Sequence, residues 1–274
     1  RDRPDAALLE TVLLRSQSRG EGMWNAERGA GDLALLRVPL SSFGDASDSA
    51  PRGAYRPLPS LRGGTLHNRF VGDWLLYGRP AGGAGEHALA LRFAARDEPQ
   101  ALTLGHGVER IEALGRDAVL VGNAGRDLHF TSLRLQGNEA RVVGSHVQRD
   151  AAQGETRTHG FFYRASAQDD GVIGLPVLGA ATGQRGRRSE SASVLFLRNR
   201  ALNLAAVGEL KSSPSRSTRD DQCQASCVDW YGNARPIFLG DRVVALLGYE
   251  LVEGRRAWRG WPGEKLEELR RVSF

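Results

Sequence analysis

Residues Ile237–Gly254 read "IFLGDRVVALLGYELVEG". A short apolar run meets a Gly-Asp pair, a second apolar run follows, and a glycine then opens a third. Gly-Asp between two apolar runs is turn chemistry, because glycine supplies a positive φ and aspartate bonds its own backbone. The same design recurs at "RFVGDWLLYGRPAGGAGEHALALRF" (Arg69–Phe93) and "IEALGRDAVLVGNAGRDLHFTSLRL" (Ile111–Leu135). A third copy is "GFFYRASAQDDGVIGLPVLG" (Gly160–Gly179), continued after a loop by "SASVLFLRN" (Ser191–Asn199). An incomplete copy comes first, "ETVLLRSQSRGEGMWNAERGAGDLALLRVPL" (Glu10–Leu40), with the second and third strands and without the first. The turn glycines are Gly72, Gly115 and Gly240, with Gly171 closing a longer "SAQDDG" turn.

Five units of strand, turn, strand, loop and strand fix the fold class as all-β. Units of about 40–50 residues with four strands are β-propeller blades. One small sheet cannot bury both faces alone, and radial stacking lets each sheet cover its neighbour. The expectation is a single propeller over residues 1–274, of four-stranded antiparallel blades. Five units are visible, so five to seven blades are allowed, and the chain reads as the C-terminal portion of a longer precursor. Second strands such as "VVALLG" and "AVLVG" are continuous apolar runs, expected to be buried on both faces. Third strands alternate (Leu89, Leu91 and Phe93; Leu128, Phe130 and, after a slip, Leu133), the half-buried signal. Two segments carry helix-like spacing, "DAALLETVLL" and Gly263–Arg271, and the second also reads as a closing strand. Two loops, 179–193 and 211–227, are insertions.

Composition bounds the function. Apolar residues make up 41%, enough for a core. The formal charge of +5 is the difference between 37 basic and 32 acidic residues, and only Lys211 and Lys265 are lysines. Basic and acidic positions are interspersed along the chain, which argues against nucleic acid, where clustering on one face is expected. No apolar run approaches the ~18 residues of a membrane-spanning helix.

Cys223 and Cys227 stand as C-x3-C in a polar loop. A zinc site wants further ligands and a redox pair wants C-x-x-C. A local disulfide is the favoured reading, and it implies an oxidising, extracytoplasmic compartment.

The units from Arg69 to Phe274 resemble the C-terminal part of a family of secreted prokaryotic β-propeller domain proteins. The segments carrying the resemblance are "DDGVIGLPVLG", "SASVLFLRN", "AVGELKSS", "PIFLGDRVVALLG", "KLEELRRVSF" and "RFVGDWLLYG". The resemblance implies a propeller outside the cytoplasm and transfers no active-site residues.

Chemistry-bearing residues are few. His106 in "LGHGVERI" reads as a base, a ligand or a turn residue. His146, Asp150 and His159 form the densest titratable cluster along the chain, in what reads as an inter-blade connection. Asp169 and Asp170 are adjacent, so the alternating acids of a calcium loop are missing. Asp73, Asp117 and Asp241 are read as one repeated turn position. Trp230, Tyr231, Trp258 and Trp261 are candidates for stacking on a sugar or a partner, or for packing at the blade rims. No catalytic motif, metal set or cofactor fingerprint is present. The leading expectation is a non-enzymatic extracytoplasmic binding module for a protein or glycan. The alternative is a carbohydrate hydrolase with carboxylates from separate blades converging on a central channel.

Overall fold

The computed structural model describes residues 8–14, 33–40, 50–61, 64–80, 88–95, 97–179, 192–213, 234–240, 242–248, 250–257 and 265–273. The chain divides into two compact units, Arg1–Arg62 and Gly63–Phe274. In the first, β1 (Leu8–Leu14), β2 (Leu33–Pro39) and β3 (Tyr55–Pro57) form an antiparallel sheet in the order β1-β2-β3. Ala34, Leu36, Val38, Ala50 and Tyr55 make its apolar layer. The helix-like spacing of "DAALLETVLL" is overridden: Leu8–Leu14 is a strand paired along its whole length with β2.

The described residues of the second unit form four sheets. The first is β4 (His67–Val71), β5 (Trp74–Gly78), β6 (Ala88–Arg92) and β7 (Gln100–Leu102). The second is β8 (Arg110–Leu114), β9 (Asp117–Ala124), β10 (Asp127–Gln136) and β11 (Glu139–Gln148). The third comprises β12 (Ala151–Gln153), β13 (Phe162–Ala167), β14 (Asp170–Gly179), β15 (Ala192–Arg200) and β16 (Asn203–Lys211). The fourth is β17 (Ala234–Leu239), β18 (Arg242–Leu247), β19 (Glu250–Ala257) and β20 (Lys265–Ser273). Every sheet is an antiparallel meander in chain order. In the third, β12 and β13 lie end to end along the same edge of β14, opposite Val177–Gly179 and Asp170–Gly174 respectively. They are one first strand, interrupted by an insertion at residues 154–161. The segment "LEELRRVS" is strand β20, the closing strand of its sheet.

Three apolar layers join consecutive sheets. Leu76, Ala90, Leu120 and Leu133 lie in the first, between the β4–β7 and β8–β11 sheets. Phe130, Ile173, Leu175 and Leu195 lie in the next. Val194, Phe196, Val243 and Val252 lie in the last. β5 and the first six residues of β9 are buried throughout, as continuous apolar runs require. β18 differs: Val243, Ala245 and Leu247 are buried while Arg242, Val244 and Leu246 are not. Among the described residues its apolar layer is shared with one other sheet, so one face suffices. Of the third strands, β10 alternates as read at Leu128, His129 and Phe130, and β19 alternates too, but β6 departs from the half-buried reading. In β6 both Leu89 and Leu91 and the intervening Ala88 and Ala90 are buried, so the alternation is one of size, not exposure. The slip read between Phe130 and Leu133 is a β-bulge at Ser132/Leu133.

Gly72, Gly115 and Gly240 have φ of 56°, 69° and 54° and form the turns between first and second strands. Gly171 is not a turn residue. The turn is the two residues Gln168 and Asp169, and Gly171 lies in β14, where a Cβ would come within 2.5 Å of the Tyr163 ring. The Asp reading is also corrected. Asp73 occupies the second turn position and is exposed, but Asp117 is the first residue of β9 and fully buried. It accepts the Leu135 N–H at 2.8 Å and pairs with Arg134 at 3.2 Å. The same start of the second strand holds Asp170, paired with Arg198 at 2.5 Å, and Arg242, paired with Glu253 at 3.1 Å. An ion pair between second and third strands thus recurs in three sheets, with its sign reversed in the last.

The β15–β16 turn carries strain. Ala201 and Leu202 have φ of 51° and 69°, the two-residue hairpin geometry usually given to Asn-Gly. Leu202 is held there because its side chain is buried in the second interlayer core and its N–H bonds Asn199 Oδ1 at 3.0 Å. Its carbonyl faces Gly144 of β11, where a Cβ would approach to 2.8 Å. Replacing exposed Ala201 by Asn, which tolerates this conformation, is expected to raise the unfolding free energy by about 0.5–1 kcal/mol. Leu202→Ala is expected to lower it by about 2–5 kcal/mol. Urea denaturation of the two variants measures both.

Candidate functional site

The densest set of buried charges lies on the first-strand side of the sheets, where β4 meets β8 and β8 meets β13. The loop before β8, Gly105–Glu109, presses on β9 at Gly122, where a Cβ would sit 2.0 Å from the Gly107 carbonyl oxygen. Only glycine permits that approach. The loop delivers His106 and Glu109, and β8 then presents Arg110 and Glu112 on one side by its period of two.

Arg110 is 4% exposed. Its Nε donates to Gln153 Oε1 at 2.7 Å and its Nη1 to Glu112 Oε1 at 3.0 Å. Its Nη2 donates to the carbonyls of Glu155 at 2.6 Å and Arg157 at 2.8 Å. The guanidinium therefore ties β8 to β12 and to the insertion within the split first strand. The other oxygen of Glu112 pairs with Arg69 of β4 at 3.0 Å. Gln153 Nε2 donates to Glu109 Oε2 at 3.1 Å. Glu155 accepts from Arg157 Nε at 2.8 Å and Nη2 at 2.7 Å, with His159 Nε2 at 3.6 Å.

Burial sets the protonation energetics. It pushes the Glu112 carboxyl up, against the pull of Arg69 and Arg110, and it pushes the Arg110 guanidinium down. The Arg157 hydrogen bonds hold Glu155 below its ordinary value. Burial also lowers His67. Three carboxylates thus converge here: Glu112 and Glu155 are engaged on both oxygens, and Glu109 takes one bond, from Gln153. Glu112 has a guanidinium on each oxygen and is 5% exposed, which leaves no open face for proton transfer to a substrate. Sequence reading missed this cluster. Its signal was "VERIEAL", charges alternating inside a strand otherwise apolar.

The residues singled out from sequence separate. His106 is 2% exposed; its Nδ1 lies 2.6 Å from the Gly107 carbonyl and its Nε2 2.7 Å from Thr131 Oγ1. A carbonyl only accepts, so Nδ1 carries the proton and Nε2 accepts from the threonine. Both nitrogens are used, and the ring stacks on His129 at 5.4 Å. His146 packs on Phe130 at 5.9 Å, with burial lowering its pKa, while Asp150 pairs with Arg126 at 2.9 Å and His159 lies by Glu155. The three do not meet, and no group of His, Cys, Asp and Glu suited to a metal occurs among the described residues. Asp169 pairs with Arg134 of the neighbouring sheet at 2.9 Å.

Cys223, Cys227, Trp230, Tyr231, Asp241, Trp258 and Trp261 lie outside the described residues. The topology still says where their loops attach. Residues 214–233 join the fourth strand of one sheet to the first of the next, and 180–191 join a second strand to a third. Both connections leave from the end of the sheets opposite the Gly72, Gly115 and Gly240 turns. Residues 258–264 join β19 to β20 at the turn end. The four aromatic candidates therefore attach at two opposite ends.

No family model matches the chain, and no curated protein matches it. Among solved structures, the crystal structure of the N-terminal domain of Nup159 aligns with a TM-score of 0.38 at 9% identity. That alignment covers 85% of this chain and 56% of the Nup159 chain. No described helix is long and apolar enough to cross a membrane.

Removing Arg110 strands Glu112, Gln153 and two carbonyls in a buried place. Arg110→Leu is expected to cost about 3–5 kcal/mol of stability in urea unfolding. Arg110→Lys is expected to recover only part of it, because an ammonium cannot reach four acceptors spread across two strands and a loop.

Proposed function

We propose that this chain is a β-propeller with one blade per unit, acting outside the cytoplasm as a non-enzymatic binding module for a protein or glycan. The observation that carries this reading is the commitment of Glu112 and Glu155 to hydrogen bonds and ion pairs within the fold, with Glu109 alone beside them taking one bond from Gln153. A hydrolase needs two of them open to substrate and water. The long insertions 180–191 and 214–233 attach at one end of the sheets, and loops on a rigid scaffold are the usual carriers of recognition. Trp230 and Tyr231 belong to that end by chain connection, which makes them the preferred aromatic contacts. The ring, its blade number and the resemblance to the secreted prokaryotic family belong to the same reading.

The test is saturable binding without turnover. Titration against a panel of neutral and acidic polysaccharides, followed by tryptophan emission and by release of reducing ends, is expected to show binding alone. Trp230→Ala with Tyr231→Ala is expected to abolish it. Release of reducing ends that disappears in Glu112→Gln would overturn the reading in favour of the hydrolase. The compartment has its own test. Protein from the native host, denatured without reductant, is expected to present no free thiol, with a mass two hydrogens short; two titratable thiols would refute the Cys223–Cys227 disulfide and the extracytoplasmic assignment with it.

A further inference from the structure

The two long insertions attach at one end of the sheets, and each is pinned where it meets a strand. The connection 180–191 runs into β15, whose Ser193 stands opposite Lys211 of β16. Ser193 is buried, and its Oγ donates to Glu209 Oε2 at 3.1 Å. The other oxygen of Glu209 accepts from Gln148 Nε2 at 2.9 Å, and Gln148 belongs to β11 of the preceding sheet. Lys211 Nζ lies 3.6 Å from Glu209 Oε2.

Lys211 ends β16, and past it the backbone leaves the ladder. Side chains of the following sheet take it up. Arg271 of β20 donates Nη2 to the Lys211 carbonyl at 2.8 Å, and the Ser213 N–H donates to Glu250 Oε2 at 3.0 Å. Arg271 Nη1 donates to that same oxygen at 2.6 Å, while its Nε and Nη2 hold Glu268 at 3.0 and 2.9 Å. Glu250 opens β19 and is 5% exposed. Its Oε1 has no hydrogen-bond partner among the described residues. Buried acceptors are ordinarily satisfied, so a carboxylate with two donors on one oxygen and none on the other calls for a reason. Here the reason is location: Glu250 sits where the root of the 214–233 insertion meets Arg271. Lys211 joins the two pins, its ammonium beside Glu209 and its carbonyl on Arg271. One chain of contacts, Gln148–Glu209–Lys211–Arg271–Glu250–Ser213, therefore crosses three sheets at the roots of both insertions.

We propose that Glu209, Lys211, Glu250 and Arg271 are positioning residues that couple the roots of insertions 180–191 and 214–233, so that the two are set as one recognition surface. An exposed pair such as Lys211–Glu209 contributes little to stability by itself. Its effect is on order: a loop with fixed roots has less conformational freedom to lose on binding. Side chains that share partners respond as a unit, so a loss at one root is felt at the other. The use of this coupling rests on the reading of the insertions as carriers of recognition, whereas the coupling itself is measurable without a ligand.

Hydrogen exchange of the whole chain, followed by mass spectrometry, reads both roots. Lys211→Met is an exposed change that keeps the carbonyl. It is expected to speed exchange about threefold at the Ser193 root and at the Ser213 root, the scale of one exposed ion pair. Glu250→Ala is expected to speed exchange about tenfold at the Ser213 root and to raise it at the Ser193 root as well. Glu250→Gln keeps an acceptor for the Ser213 N–H and is expected to restore most of the protection. Strands β5 and β6, in the first sheet and outside the network, are expected to exchange as in the unaltered protein. Should Glu250→Ala fail to fold, Lys211→Met carries the comparison. Titration with xylan and with polygalacturonate, followed by tryptophan emission, is expected to show Lys211→Met binding about threefold more weakly than the unaltered protein. If the unaltered protein binds neither, the recognition reading fails and the exchange result decides the coupling by itself. Faster exchange confined to the altered root, an equal rise in β5 and β6, or unchanged affinity in Lys211→Met would each overturn the proposal.

Discussion

Burial of apolar surface between consecutive sheets is the interaction on which this structure depends. A four-stranded meander of this size has no core of its own. Leu120 and Leu133 have a dry environment because Leu76 and Ala90 face them, and Phe130 has one because Ile173 and Leu195 do. Each fully buried leucine or phenylalanine contributes on the order of 1.5–3 kcal/mol only while its neighbouring sheet is in place. The sheets of the second unit therefore stand or fall with their neighbours, and positions where backbones approach closely become restrictive. Gly122 against Gly107, Gly144 against Leu202 and Gly174 against the Pro236 ring each mark a contact that a methyl group would prevent.

Polar interactions are arranged around those layers. At the turn end, cross-strand pairs such as Asp117–Arg134 and Asp170–Arg198 use carboxylates at the start of the second strand. The reversed Arg242–Glu253 pair keeps the diagonal contact of Asp170–Arg198 while exchanging the charges. Along the first strands, Arg110 does the corresponding work in a drier place, with one bond to Glu112 of its own strand and three to other segments. A buried guanidinium with each nitrogen engaged specifies one arrangement of β8, β12 and the insertion that follows β12, because a shift of either strand would orphan several groups at once.

These commitments separate structural charge from available charge. Glu112 and Glu155 are buried, with burial and hydrogen bonding pulling their protonation in opposite directions, and both are consumed by arginines. His106 has neither nitrogen to spare. Arg200 and Arg255 remain exposed at the turn end, with Glu267 opposite Arg255 on the neighbouring strand.

The sequence by itself determined the repeated unit, the turns at Gly72, Gly115 and Gly240, the closing strand at Lys265–Ser273 and the bulge after Ser132. These are local: a positive φ selects glycine, and a period of two survives any packing. Tertiary structure alone decided which faces are covered. The alternation of Leu and Ala in β6 looks half-exposed in sequence and is wholly buried, since exposure depends on a neighbouring sheet that local pattern does not encode. Asp73 directly follows its turn glycine whereas Asp117 stands one residue further on, and only strand pairing shows that this one position is the difference between solvent and core.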